Sequence, residues 1–304
     1  MKPMIGGECT TPKYGLFFGG CAWGCAYYIG VVRAAREKWV SGINRVQTHI
    51  PVGGSSAGAL MALGVALDKT DAEMSQMYYD LATQARQHGV LGSMSKYHQA
   101  VLDRWIPLGG SEWSELMQTR RLHIGLTRFP ATPVLVGSWS SNKHLQELLH
   151  ASFHIPIYCE HTVRGHFMDG ALVRSFWQLP SAQTTWAVSP IQPAADICPS
   201  PTMPLFKVVW PLSEPDLTSS IARGDLDFRR MCHDNPKGCW RRYGTKSLIR
   251  TLLRYLITAW CWTLFYGRRH WKNVCMLYAF NRLLKRMHIL VPIYIASLRL
   301  VCPN

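Results

Sequence analysis

Acidic residues are scarce in this chain of 304 residues, which has 18 Asp and Glu against 33 Lys and Arg and a formal net charge of +15. None of the acidic residues lies in the basic segment, residues 237–299, which holds thirteen Lys or Arg. No cluster of carboxylates offers the oxygen ligands that calcium requires, so we expect no calcium dependence. The basic segment suits an anionic surface, either nucleic acid or acidic lipid.

Two other features are missing. The ten cysteines have no repeated short spacing, which argues against a disulfide framework. Residues 1–15 contain no apolar stretch of the kind that a secretory signal needs, so we expect a reducing, cytoplasmic location. Cys232, His233 and Cys239 resemble half of a zinc site, but the other half is missing and the spacing fits no standard zinc pattern. We expect neither a metal nor another cofactor.

Long apolar runs are also lacking in the C-terminal part. The longest uncharged run there, residues 255–267, has 13 residues, short of the ~20 that a membrane-spanning helix needs. An amphipathic helix at a lipid surface fits better, with Trp260 and Trp262 at headgroup depth and Arg268 on anionic lipid. A helix packed on the core with its arginines in water is the open alternative. Nucleic acid is not expected, because the aromatic residues are embedded among Leu and Ile.

The chain does have a composition and a pattern of elements typical of an α/β domain. Hydrophobic residues make up 48% and charged residues 17%, which favours a globular protein with a sizeable core. Short apolar runs alternate with helical patterns and glycine turns, which predicts a mainly parallel central sheet with helices on both faces. Ligands of such sheets bind at the carboxyl ends of the strands. The predicted strands include residues 14–18, 49–52, 122–127, 133–137, 165–168 and 206–210.

The first chemical signal is the pattern Gly-x-Ser-x-Gly, which places Ser56 between Gly54 and Gly58. A serine nucleophile on a sharp strand-to-helix turn needs small neighbours, because the backbone folds back tightly and Oγ must stand exposed at the sheet edge. Glycine and serine are common residues, so the pattern also occurs by chance in unrelated chains. Its surroundings must support the assignment.

Two further turns supply groups that such a nucleophile requires. The loop of residues 18–24 leads from a strand into a helix and offers backbone N–H groups that favour an anion. Asp169 follows an apolar strand and precedes a turn of small residues, where it could reach Ser56 across the sheet edge. A plain strand–helix connection and a plain Asp-Gly turn are the alternatives for these two segments.

Together, these segments and their connections resemble the patatin-like phospholipases over roughly residues 14–215, and most nearly the subgroup of adipose triglyceride lipase and adiponutrin. In the first loop the matching residues are Phe18, Gly20, Cys21, Trp23, Tyr27 and Gly30. Later matches lie at residues 54–60, 150–157, 164–165 and 168–170. The resemblance implies a three-layer patatin-like α/β fold and a lipid acyl hydrolase that uses a Ser-Asp dyad without a cofactor.

Carried onto this chain, the resemblance implies Ser56 as the nucleophile and Asp169 as its base and orienting partner. It also implies an oxyanion hole made by the backbone amides around Gly20, Cys21 and Ala22. The glycines that would support these motifs are Gly54, Gly58 and Gly170.

Three positions depart from the family pattern. Ala22 and Cys25 stand where the loop usually has glycine, and Ala171 replaces the second glycine after Asp169. A Cβ at Ala22 is harmless only if this residue keeps a negative φ. One alternative is therefore a catalytically weak or inactive lipid-binding regulatory protein, and another is an ordinary α/β-hydrolase with a catalytic triad. The histidines that could complete a triad are His233, His270 and His288.

The expected organisation is a hydrolase domain at residues 1–220 and a basic helical extension at residues 221–304. The extension is expected to dock on an anionic membrane or lipid-droplet surface through residues 247–299. The protein is therefore predicted to be cytoplasmic and peripherally associated with lipid, and to act on a lipid ester.

Overall fold

The computed structural model of this protein describes residues 12–41, 47–128, 132–155, 159, 167–172, 174 and 176–234. The basic segment with its predicted amphipathic helix lies outside these residues, and so do Cys239, His270 and His288. Within the described part, no helix is long and apolar enough to cross a membrane. In the same part, no group of three or more His, Cys, Asp or Glu side chains is placed to hold a metal ion.

A six-stranded sheet forms the centre of the fold, with β5 paired to β3 beside the strand path β4-β3-β2-β1-β6. The parallel strands are β1 (Tyr14–Phe18), β2 (Val52–Gly54), β3 (Leu122–Arg128) and β6 (Thr184–Val188). The strands that run antiparallel to β3 are β4 (Thr132–Val136) and β5 (Phe167–Asp169). The prediction of an α/β fold with a mainly parallel sheet is confirmed.

Helices connect the strands. A 3-10 turn, Ala22–Cys25, leads into α1 (Ala26–Ala35), which continues as a π-helical turn, Arg36–Ser41. The later helices are α2 (Ala57–Ala66), α3 (Asp71–His88), α4 (Met94–Trp105), α5 (Glu112–Thr119), α6 (Asn142–Phe153), α7 (Leu205–Val208) and α8 (Glu214–Asp234). All five residues of β1 are buried, and so is every residue of α2 after Ala57. Elements covered on all sides need apolar residues throughout, which explains why neither segment alternates with polar residues.

Two strand assignments from the sequence need correction. The prediction of a strand at residues 206–210 is wrong, because α7 forms there after the extended residue Pro204. Conversely, the sequence TTWAV forms β6, which pairs with β1 along its whole length and was not among the predicted strands. Segments of only four or five residues carry no decisive periodicity, so packing decides between helix and strand.

Helix α8 packs on α1 at very close range. A Cβ on Gly30 would collide with the backbone of Ile221, and a Cβ on Gly224 would collide with the carbonyl of Tyr27. The Tyr27 hydroxyl donates a hydrogen bond to Asp227 Oδ2 at 3.0 Å. Gly30 and Tyr27, two residues of the matching loop pattern, therefore have a packing role, and the packed domain continues through α8.

Candidate active site

Ser56 lies on a strained turn between β2 and α2. Its backbone has φ 56° and ψ −135°, a region that residues with a Cβ rarely adopt. A Cβ on Gly54 would collide with the carbonyl of Gly58, and a Cβ on Gly58 would collide with the carbonyl of Phe18. The two glycines are therefore required by the close passage of the backbone. The turn leaves Ser56 at the N-terminus of α2, 5% exposed.

Asp169 ends β5 and is 2% exposed. Its Oδ1 accepts a hydrogen bond from the backbone N–H of Ala171 at 2.8 Å. Burial raises the pKa of Asp169 to about 6, while the Ser56 side chain and the Ala171 N–H act in the opposite direction. The Ser56 side chain is thus close enough to Asp169 to interact with its carboxyl. No described residue, however, donates a hydrogen bond to Asp169 Oδ2 in aligned geometry. Such pairs often align only when substrate is bound.

The sheet brings these two residues together at Gly125 in the middle of β3. Strand β2 pairs in parallel with β3 up to Ile124, and β5 pairs with β3 from the opposite direction, with Asp169 facing Leu126. A Cβ on Gly125 would collide with the Ser55 hydroxyl, and a Cβ on the glycine after Asp169 would collide with the Gly125 carbonyl. Gly125 is therefore a site residue that the sequence did not reveal, because its role depends on strand pairing.

The loop after β1 passes directly beside Ser56. A Cβ on Gly20 would lie 3.2 Å from Ser56 Cβ and 2.6 Å from Ala171 Cβ, so only glycine fits there without rearrangement. Among the described residues, none accepts a hydrogen bond from the backbone N–H of Gly20, Cys21 or Ala22. Unpaired N–H groups next to a serine hydroxyl are the groups from which an oxyanion hole is built.

Ala22 has φ 46°, in the left-handed region that favours glycine. The condition under which its Cβ would be harmless, a negative φ, is therefore not met. The second departure, Cys25, has an ordinary helical φ of −63°. Burial raises the pKa of Cys25 to about 12, so its thiol stays protonated. The departure that strains the loop is thus at Ala22, where the cost is on the order of 1–2 kcal/mol.

Replacing Ala22 with glycine is expected to raise the free energy of unfolding by about 0.5–1 kcal/mol, because glycine adopts a positive φ without a steric penalty. Ala26→Gly is the matched control. Ala26 is buried with φ −53°, so its replacement should lower stability by about 1 kcal/mol or more. Urea unfolding followed by tryptophan fluorescence measures both changes. Equal destabilisation by the two substitutions would contradict a strained Ala22.

Ser56 also lines an apolar cavity of about 540 Å³, counting its open mouth. The other walls come from the 3-10 turn and from α2, α3, α4 and the end of α6. The lining includes Trp23, Leu60, Leu81, Met94, Phe153 and Ile155. The apolar lining suits a hydrocarbon chain.

The histidine that lines the cavity is not one of those proposed for a triad. His233, the one triad candidate among the described residues, has a side chain that is 89% exposed and contacts Asp234. It does not line the cavity, whereas His98, which no motif indicated, does. Burial lowers the pKa of His98 to about 3, with a smaller effect from His150, so its imidazole is neutral at physiological pH. Its Nδ1 is buried and has no hydrogen-bond partner in the part of the chain that the structure describes.

Comparisons with known proteins match the region that contains this site. A family model described as Patatin-like phospholipase matches residues 16–177, just over half of the chain. The mouse protein Patatin-like phospholipase domain-containing protein 2 is 29% identical over 198 residues, which cover 62% of this chain and 39% of the relative. The human protein of the same name is 27% identical over 197 residues, 61% of this chain and 37% of the relative.

Human Patatin-like phospholipase domain-containing protein 5 is also similar. It is 26% identical over 208 residues, which cover 63% of this chain and 45% of that protein. The chain therefore spans less than half of the length of each of these three relatives.

Proposed function

This chain belongs to the patatin-like phospholipase family, and on that premise we propose that it is a lipid acyl hydrolase that cleaves carboxylic esters with a Ser56–Asp169 dyad. The observation that carries the proposal is the meeting of a strained, buried serine and a buried carboxyl at Gly125, beside an apolar cavity that Ser56 itself lines. Each part alone has a structural explanation. Their combination is what acyl transfer requires.

In the proposed mechanism, the ionised Asp169 accepts the proton of Ser56 Oγ as this oxygen attacks the ester carbonyl. The carbonyl oxygen takes up the π electrons and becomes the oxyanion of the tetrahedral intermediate. When these electrons re-form the carbonyl, the bond to the alcohol oxygen breaks, and the departing alkoxide takes the proton from Asp169. Water then attacks the acyl-enzyme with Asp169 again as the base, releasing the fatty acid and restoring Ser56. A carboxyl whose pKa is about 6 is ionised at neutral pH and close enough in basicity to transfer protons in both directions.

The unpaired backbone N–H groups of Gly20, Cys21 and Ala22 are proposed to bind the oxyanion. Their loop is held by the Tyr28 hydroxyl, which donates a hydrogen bond to the Gly19 carbonyl at 2.6 Å. Donors that are fixed before the reaction need no reorganisation when the charge develops, and each is worth about 10²–10³ in turnover. The alternative of an inactive regulatory protein is not favoured, because the buried carboxyl near Ser56 and the loop amides without acceptors among the described residues both support an active enzyme.

The acyl chain of the substrate is proposed to occupy the apolar cavity, because burying hydrocarbon there removes it from water at about 25 cal/mol per Å². We further propose that residues 247–299 dock on an anionic membrane or lipid-droplet surface. Support comes from the sequence, in which Lys, Arg and Trp are interleaved with apolar residues and acidic residues are absent. The protein would then be peripherally associated with the membrane or lipid droplet.

The proposal is tested by labelling the purified full chain with an alkyl fluorophosphonate, whose fluoride is displaced by an activated serine. The same preparations are assayed on p-nitrophenyl butyrate, phospholipid and triacylglycerol, with and without phosphatidylserine vesicles. Wild type is expected to be labelled on Ser56 and to hydrolyse ester, and Ser56→Ala to do neither. Ser55→Ala is the matched control, because Ser55 is fully buried and does not line the cavity; it should keep both activities.

A folded wild-type protein that is neither labelled nor active on any ester would overturn the enzymatic proposal. If it bound vesicles under those conditions, the lipid-binding regulatory function would be the better account. Labelling that persists in Ser56→Ala would place the nucleophile elsewhere.

A further inference from the structure

The end of α6 contacts both members of the proposed dyad through hydrogen bonds. The backbone N–H of Ser56 donates to Ser152 Oγ at 3.0 Å, and Ser152 Oγ donates in turn to the Gly125 carbonyl at 2.9 Å. Two residues further along, the His154 carbonyl accepts a hydrogen bond from the backbone N–H of Asp169 at 3.3 Å. This short segment therefore touches the nucleophile, the base and the strand residue where they meet.

The Ser152 hydroxyl has one orientation available in this network. Its side chain is fully buried, and because its hydrogen is directed to the Gly125 carbonyl, its lone pairs face the Ser56 N–H. A buried N–H without an acceptor costs about 1–3 kcal/mol. The bond from Ser56 to Ser152 therefore stabilises the turn at Ser56, whose strained φ is 56°, by giving its buried N–H an acceptor.

We propose that Ser152 is a positioning residue that holds the Ser56 backbone at the distance from Asp169 that proton transfer requires. The inference rests on the proposed dyad function. Ser152 does not touch the reacting atoms, but it attaches the nucleophile turn to Gly125, against which the turn after Asp169 also packs. The proposal gives a role to one residue of the segment 150–157, which resembles the family pattern and had no function assigned from the sequence.

The expected effect is on turnover. Misplacing reacting groups by about 1 Å can cost about 10²-fold in rate. Ser152→Ala should therefore lower kcat for p-nitrophenyl butyrate by about 10–100-fold, with KM within about twofold of wild type, and should slow fluorophosphonate labelling of Ser56 equally. Ser152→Thr keeps the hydroxyl and should recover most of the rate.

A matched control separates positioning from ordinary core stability. Ser220 on α8 is also buried, 5% exposed, and its hydroxyl has no hydrogen-bond partner among the described residues. Ser220→Ala should keep wild-type kcat and labelling. Hydrogen exchange of a peptide that contains Ser56 gives a readout independent of turnover, because loss of the Ser152 acceptor should speed exchange of the Ser56 amide in Ser152→Ala and leave it unchanged in Ser220→Ala.

If the alanine variant does not fold, Ser152→Cys replaces it, because cysteine nearly preserves the shape of serine but weakens both hydrogen bonds. Smaller losses of kcat, labelling rate and protection of the Ser56 amide are then expected. The inference is overturned if wild type is active and the folded alanine or cysteine variant keeps kcat, labelling rate and Ser56 exchange within about twofold of it. It is also overturned if activity falls only in proportion to the folded fraction. Failure of wild type itself to hydrolyse ester or react with the probe would instead reject the proposed function.

Discussion

Replacing Ser56 with glycine is expected to abolish ester hydrolysis and at the same time raise the free energy of unfolding. Loss of the nucleophile should lower kcat by at least about 10⁴-fold. The gain in stability comes from the backbone, because Ser56 has φ 56° and ψ −135°, a conformation that costs about 1–3 kcal/mol with a Cβ and little without one. Glycine also loses more conformational entropy on folding than serine does, so the net gain in the free energy of unfolding is expected to be about 1 kcal/mol.

The control is Ser56→Ala, which also removes the nucleophile but keeps the Cβ. Both variants should be inactive. In urea unfolding, the glycine variant should have a higher free energy of unfolding than the alanine variant. Equal stability of the two would mean that the turn at Ser56 is unstrained in solution. Residual wild-type hydrolysis in either variant would remove Ser56 from the mechanism.

Asp169→Asn is expected to lower kcat by about 10²–10⁴-fold at pH 8, because an amide cannot accept the proton of Ser56. Burial raises the pKa of Asp169 to about 6, so wild-type kcat/KM should rise with pH through a midpoint near that value as the carboxyl ionises. The variant should lack this step. Rates of p-nitrophenyl butyrate hydrolysis between pH 4.5 and 9 test both expectations, and a variant within about tenfold of wild type at pH 8 would exclude Asp169 as the base.

The same substitution should change stability in a pH-dependent way. The pKa of Asp169 is about 6 in the folded protein against an ordinary 3.8, so the folded state holds this proton more tightly than the unfolded chain. This tighter proton binding adds to the free energy of unfolding below about pH 4, and the added stability is lost as the pH rises through about 6. Above that pH, the buried charge lowers the free energy of unfolding by about 3 kcal/mol.

Asp169→Asn carries no such charge, and its side-chain oxygen can still accept the Ala171 N–H bond. It should be more stable than wild type at pH 8 by up to about 3 kcal/mol and no more stable at pH 4. Urea unfolding at the two pH values measures this difference. An advantage of the same size at both would show that Asp169 does not ionise at a buried site.

The sequence by itself determined the turns that carry the proposed chemistry. The requirement for Gly54 is local, because a Cβ there would collide with the carbonyl of Gly58 in the same turn, and adjacent sequence can encode such a contact. The glycines at 20 and 58 are part of the same motifs, although the groups that their Cβ atoms would meet come from distant segments. The alternation of strands and helices likewise indicated the α/β class and a mainly parallel sheet, because burial on both faces demands continuous apolar runs.

Only the tertiary structure decided how those turns meet. Strand β5 runs antiparallel to β3 and reaches Gly125 from the direction opposite to that of β2, and the direction of pairing between distant segments leaves no periodic signal in either one. The positive φ of Ala22, the neutral His98 in the cavity and the bond from Ser56 to Ser152 have the same origin. Each depends on which distant groups share one small buried space, and hydrogen bonding and desolvation there are set by that packing rather than by neighbouring residues.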